Sequence, residues 1–253
     1  MTAVDRLVHC NAWSRRHPAD KMVLAGGLLL LSIALPPIPG AALVLASAVG
    51  AAVFGARIPA ADLARLMAVP AAFILSGALV LATSLRLDGG GPVLAFSPDG
   101  AVTAVDVSLR AAAASASLLL LMTTTPISDL LGPLRALRIP APLVDVVLLV
   151  YRFIMLVIGV ANAIRTAQAS RLGYSNLRRS TRSAGLLVAA LLPRSLDRGR
   201  RLEIGLAARG YDGTLCVLPS ELPPSAAFLL TAIGLQAGLA GISVLLWHGV
   251  LLT

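Results

Sequence analysis

From Met22 to Ala56 no position is charged and none is histidine. That run of 35 residues is too long for one membrane crossing, which takes ~20 residues. Pro36, Pro37, Pro39 and Gly40 interrupt its middle, and such residues break helices into turns. The pattern predicts two spans joined by a tight turn. Leu66 to Leu85 is a third uncharged run and Ala111 to Ser128 a fourth. Leu222 to Thr253 holds only His248 and predicts a final span with spare length for tilt.

Leu143 to Ile164 is apolar but carries Asp145 and Arg152. Ionisable groups inside a span are expensive and usually face protein or water. The two are seven residues apart, two helical turns, so both can turn toward the protein interior as a structural polar contact. This segment could span or lie in the interface.

Composition agrees with lipid as the solvent. The chain is 57% hydrophobic and 13% charged, against about 45–50% and about 25% in soluble domains. Its net charge is +9, from 21 Lys+Arg and 12 Asp+Glu. A basic balance can mean nucleic acid, but here the charges lie between apolar runs, as topology signals do. The first run begins only near Lys21 and continues into a second, unlike a cleaved leader. Cys10 and Cys216 match no disulfide or metal spacing. His9, Cys10 and His17 fit no common ligand pattern, and their segment reads as a flexible cytoplasmic tail.

Charge placement orients the spans. Arg6, Arg15, Arg16 and Lys21 precede the first, which puts the N-terminus in the cytoplasm. Arg57 and Arg65 mark a second cytoplasmic loop. Asp88, Asp99 and Asp106 fall between spans three and four, in a loop expected outside. Its Gly89-Gly90-Gly91-Pro92 and Phe96-Ser97-Pro98-Asp99-Gly100 segments predict a small β-hairpin. Arg135 and Arg138 follow the fourth span on the inside. Arg165 to Asp212 then carries ten arginines and three acids, so it too is expected inside. With both flanks inside, 143–164 is favoured as a helix along the cytoplasmic interface.

Within the basic stretch, a helix from Arg194 to Arg209 puts Leu196, Gly199, Leu202 and Leu206 on one face. Arg194, Arg198, Arg201 and Arg209 occupy the other. Its expected start is near Pro193 or Ser195 and its end at Gly210. Gly173 is expected to end the preceding helix just past Arg171. Asp197 and Glu203 sit within a turn of arginines, as intrahelical partners do. The other arginines of the stretch (178, 179, 182, 194, 198, 200, 201) read mostly as topology signals and anionic-lipid contacts.

Several stretches carry a resemblance. They are Thr123-Thr124-Thr125-Pro126-Ile127-Ser128-Asp129-Leu130-Leu131, Leu134-Arg135-Ala136-Leu137-Arg138-Ile139-Pro140 and Tyr151-Arg152-Phe153-Ile154. Two arginine motifs follow, Ala167-Gln168-Ala169-Ser170-Arg171 and Leu206-Ala207-Ala208-Arg209-Gly210-Tyr211. Over about residues 120–215 the chain resembles the transmembrane T component of energy-coupling-factor transporters, the EcfT/CbiQ family, and most resembles the CbiQ-type subunits of cobalt uptake systems. Leu172 departs from the pattern, standing where the second motif has Gly210.

The charge-free runs predict an all-α integral membrane protein with about five transmembrane helices, or six if 143–164 crosses, and the resemblance adds long amphipathic cytoplasmic coupling helices. Residues 1–128 would hold four spans, 129–215 the coupling helices and 216–253 the last span. It implies a non-catalytic subunit of an ATP-driven importer in the bacterial inner membrane. Arg171 and Arg209, with Ala167, Ser170, Ala208 and Gly210, would dock into grooves on two CbiO-like ATPases. The chain itself would bind no cofactor, ATP and Mg belonging to those partners. A CbiM-like capture subunit, with a small CbiN-like one, would hold cobalt; nickel or a vitamin is the alternative cargo.

The main rival is a self-contained secondary transporter or channel. Such proteins usually pair ionisable residues at the midplane, and the spans here are uncharged. A membrane enzyme would need clustered His, Asp, Glu, Ser or Cys, and the acids are scattered. Gly89–Gly91 lack a following Lys-Ser/Thr, so they form no phosphate loop. The glycines of the spans, such as Gly26, Gly27, Gly50, Gly55 and Gly77, permit close helix packing, and Gly234, Gly238 and Gly241 make a similar ridge.

Overall fold

The first long helix, α1 (Pro18–Ala34), starts where its sequence supplies a cap. His17 Nδ1 accepts the Ala19 N–H at 3.2 Å, and Pro18 opens the first turn. A missing N–H costs nothing there. The helix stops at Leu35, which is extended, just before Pro36. The computed structural model describes residues 7–8, 10–88, 91–127, 129–130, 140–210 and 223–251. Arg6, His9, Gly89, Gly90, Arg135, Arg138, Tyr211, Asp212 and Cys216 lie outside the described residues, as does the side chain of His248.

Two compact units result, Met1–Pro133 with Ser220–Thr253, and Leu134–Pro219. In the first, a turn (Pro37–Ala41) leads into α2 (Ala42–Gly50) and a wider coil (Ala51–Gly55). Then come α3 (Ala60–Ala82), the strands β1 (Thr83–Asp88) and β2 (Gly91–Phe96), and α4 (Pro98–Thr124). The second unit holds α5 (Ala141–Ser170) and α6 (Leu177–Ala207). The chain returns to the first through α7 (Ala226–Leu251).

Among the described residues, five helical stretches are long and apolar enough to cross a membrane: Ile38–Gly55, Ala60–Ala82, Pro98–Thr124, Leu143–Ser170 and Ala226–Trp247. The protein is thus a multi-pass membrane protein. The expected number holds, but the set shifts. α1, with 17 residues, is only about 25 Å long, short for a ~30 Å core. α5 is long and apolar enough despite Asp145 and Arg152. Outward side chains are apolar, as lipid-facing surfaces must be: Phe54, Phe73 and Leu79 are 84%, 79% and 70% exposed.

The hairpin forms, with Thr83 opposite Phe96 and Asp88 opposite Gly91. The loop around it is shorter than expected. Phe96–Gly100 is no second turn, because Ser97 accepts the Gly100 N–H at 3.3 Å and caps α4. Asp99, Asp106 and Arg110 therefore lie within α4 rather than in an outer loop.

α4 is the centre of its unit, packing against α1, α2 and α3. Leu28, Val44, Ala48, Ala113 and Leu120 form part of the core, each at most 1% exposed. Small side chains let the helices approach. A Cβ on Gly27 would overlap Gln236, whose amide donates to the Val23 and Leu24 carbonyls at 2.9 and 3.2 Å. Gly234, Gly238 and Gly241 face open space among the described residues.

α1 and α4 clamp each other's carboxyl ends. The last carbonyls of a helix have no intrahelical donor and carry negative partial charge. Pro126 aggravates this at α4, having no N–H to give. Lys21 of α1 donates to the Thr124 carbonyl at 2.8 Å and to that of Trp13 at 3.3 Å. Arg110 of α4 donates to the Ile33 and Leu35 carbonyls at 3.4 and 3.2 Å. Asn11 adds a bond to the Thr123 carbonyl at 3.0 Å. Beside them, Asp20 Oδ2 accepts the Ser225 N–H at 3.0 Å, where α7 begins. Asp20 and Lys21 are each 1% exposed.

This corrects the expectation of a flexible tail before the first helix. Asn11 and Trp13 are buried, the Ala12 N–H reaches the Ala56 carbonyl at 3.0 Å, and Trp13 stacks edge-on against Phe228. Arg16 lies over the same ring, 4.7 Å from its centroid, so it is a packing residue as well as a topology signal.

Candidate functional site

Arg171 and Arg209 each follow the last turn of a helix. In the first, α5 ends in a Schellman motif. The Leu172 N–H bonds the Ala169 carbonyl at 3.0 Å, and the Gly173 N–H reaches back to the Gln168 carbonyl at 2.8 Å. The left-handed residue is Leu172, with φ +59°, not Gly173. Gly173 is needed for space instead: a Cβ there would stand 2.7 Å from Ser183 Oγ and 2.8 Å from the Gln168 carbonyl oxygen.

The second end repeats this backbone over its described residues. α6 ends at Ala207, the Arg209 N–H bonds the Leu206 carbonyl and the Gly210 N–H that of Ala207. Gly210 has φ +71°. Leu172 and Gly210, different in sequence, therefore occupy the same left-handed position, each just after its arginine. Glycine adopts that conformation freely, whereas a side chain there meets the carbonyl. Arg171 and Arg209 thus stand alike, each one residue before a left-handed position.

The α5–α6 turn is built by side chains that the sequence reading gave no role. Gln168 donates to the Ser183 carbonyl at 3.0 Å and accepts the Tyr174 hydroxyl at 2.8 Å. Ser183, 7% exposed, donates to the Gly173 carbonyl at 2.9 Å. Asn176 accepts the Arg179 N–H at 2.8 Å and caps α6. An Asn just ahead of a helical run is a readable signal. The Gln168 bonds cross between helices and leave no local pattern.

α6 is one continuous helix of 31 residues from Leu177. The expected start near Pro193 is wrong: Pro193 lies inside the helix. The Asn176 cap and packing on α5 outweigh one lost ladder bond. Leu202 and Leu206 are half-buried but Leu196 is 58% exposed, so the apolar face predicted for 194–209 is buried only in part. Asp197 pairs with Arg201 at 2.9 Å, as expected of an i,i+4 pair; Glu203 has no ion pair among the described residues.

The structure does not bring Arg171 and Arg209 together. They stand beyond opposite ends of α6, roughly 45 Å apart by helix rise. Both are exposed, as are Ala167, Ser170, Ala208 and Gly210. Among the described residues neither guanidinium has an ion pair or side-chain hydrogen bond. Each leaves five N–H donors for an external acceptor. Asp145 is 4% exposed and Arg152 exposed, so the two do not share one buried face.

A family described as Cobalt transport protein, CbiQ, matches residues 11–219. Cobalt transport protein CbiQ of Rhodobacter capsulatus is 42% identical over 246 residues, covering 97% of this chain and 99% of that protein. Its counterpart in Salmonella typhimurium is 30% identical over 222 residues, 84% of this chain and 98% of that one. A protein of Methanocorpusculum labreanum, described as a fused cobalt transport protein CbiMQ, is 31% identical over 196 residues, 72% of this chain and 32% of that one.

Proposed function

This chain belongs to the CbiQ cobalt transport protein family, and from that premise we propose that it is the energy-coupling subunit of an ATP-driven cobalt importer. Two exposed arginines, each just past the last turn of its own helix and lying beyond opposite ends of α6, are the observation that carries the reading. A pair of like ATPases presents two like grooves, and separated, similarly built helix ends suit one groove each. An arginine fork binds carboxylates or carbonyls directionally, so a groove that moves on ATP binding drags the helix with it. The Gln168–Tyr174–Ser183 bonds make the first end stiff enough to transmit that displacement.

A CbiM-like capture subunit, carrying cobalt, completes the complex; the fused CbiMQ relative supports that pairing. The chain resides in the inner membrane with its N-terminus in the cytoplasm. α5 lies along the cytoplasmic interface although its length and apolarity would admit a crossing, and α1 makes a short crossing, so that the arginines C-terminal to α5 share the side of those before it. The test is reconstitution in vesicles with subunits omitted in turn, monitoring ATP-driven cobalt uptake. The expected result is uptake only when this chain, the ATPases and the capture subunit are all present. Uptake by this chain alone would reinstate a self-contained transporter.

A further inference from the structure

α5 and α6 enclose a groove of about 160 Å³, roughly the volume a benzene-sized apolar group fills. Leu156, Val157 and Val160 of α5 and Leu191 of α6 form its apolar part. Arg194, Ser195 and Arg198 border it from α6. Arg194 and Arg198 are one turn apart, and among the described residues neither has an ion pair. The nearby carboxylate of Asp197 is already held by Arg201. Ser195 donates its hydroxyl proton to the Leu192 carbonyl at 2.8 Å, so the groove's free donors are guanidinium N–H groups.

We propose that this groove is a binding site for an anionic phospholipid, with its phosphodiester on Arg194 and Arg198 and a segment of acyl chain against the apolar wall. The chemistry asks for an amphiphile with one anionic head. Two guanidiniums supply charge-assisted bonds to phosphate oxygens, and basic pockets between membrane-protein helices bind such headgroups. The wall belongs to a helix long and apolar enough to cross a bilayer, so acyl chain is its ordinary solvent. Other arginines of α6, such as Arg178 and Arg182, are exposed without bordering the groove; they supply charge but no tail site. The lipid would lock α5 against α6 part-way between the two arginine-bearing ends.

The full chain, purified from nanodiscs of mixed phosphatidylglycerol and phosphatidylcholine, would be assayed by native mass spectrometry for retained lipid. Three variants decide: Arg194→Gln with Arg198→Gln, Arg178→Gln with Arg182→Gln as an equal charge change elsewhere, and Val160→Trp to fill the groove. Melting curves would confirm that each is folded. Wild type should retain phosphatidylglycerol over phosphatidylcholine. The first pair should weaken that retention about tenfold or more, the worth of one charge-assisted bond. Val160→Trp should do so with charge unchanged, and the control pair should leave it within about twofold. Equal losses in both arginine pairs would mean a diffuse basic surface and overturn the proposal. So would equal retention of both lipids, or a photocrosslinker at Ser195 that labels an acidic partner segment instead of lipid in the assembled complex.

Discussion

At the scale of single residues, two polar roles stand out that neither charge nor motif announced. Lys21 read as a topology signal, yet its ammonium is buried and closes the end of α4. Lys21→Met would leave the Thr124 carbonyl unpartnered and Asp20 buried without its neighbouring cation. The expected cost is about 3 kcal/mol, seen as a lower melting temperature in detergent, while Arg65→Met, at an exposed site, should change little. Leu172 makes the opposite prediction. Its φ of +59° costs a side chain roughly 1 kcal/mol, and its side chain is 67% exposed. Leu172→Gly should stabilise by about that amount and Gly210→Ala should destabilise by a similar one; the same melts check both. Sequence showed Leu172 as a departure from the motif, and only the backbone shows it to be the same conformation at a strained residue.

Among elements, the helices were legible wherever a charge-free run coincided with one. α3 and α7 fall close to their predicted runs. α4 did not, because it begins at Pro98 and carries Asp99, Asp106 and Arg110 within the helix. Charge marks where lipid contact ends, not where hydrogen bonding ends, and Arg110 spends its charge on the α1 carbonyls. Pro193 misled for a related reason: a proline was read as a boundary, but a capped and packed helix tolerates it. Pro193→Ala should restore the missing ladder bond and stabilise by about 1–3 kcal/mol, detectable by thermal melting. The α5–α6 turn was half legible, since Asn176 is a local cap but the Gln168–Ser183 bond joins positions fifteen apart. Gln168→Ala should loosen the presentation of Arg171 without removing it. ATPase association should fall severalfold, with an effect smaller than that of Arg171→Ala, in a quantitative pull-down.

For the whole molecule, the membrane class and the two arginine ends were open to sequence reading, whereas the disposition of α5 rests on the sidedness of its flanks. Cysteines placed at Ala141 and Ala169, with Cys10 and Cys216 changed to Ser, should both be labelled by an impermeant reagent from the cytoplasmic side alone. Labelling from opposite sides would make α5 a crossing helix and reverse the sidedness of α6. The central claim is that force enters through Arg171 and Arg209, and its most direct test is co-purification with the partner ATPases, paired with ATP-driven cobalt uptake. Wild type, Arg171→Ala, Arg209→Ala and the double variant would be compared after equal membrane insertion is verified. The account predicts that each single variant weakens association or uncouples hydrolysis from uptake, and that the double variant nearly abolishes both. A double variant that inserts, binds the ATPases and drives uptake as wild type does would contradict it.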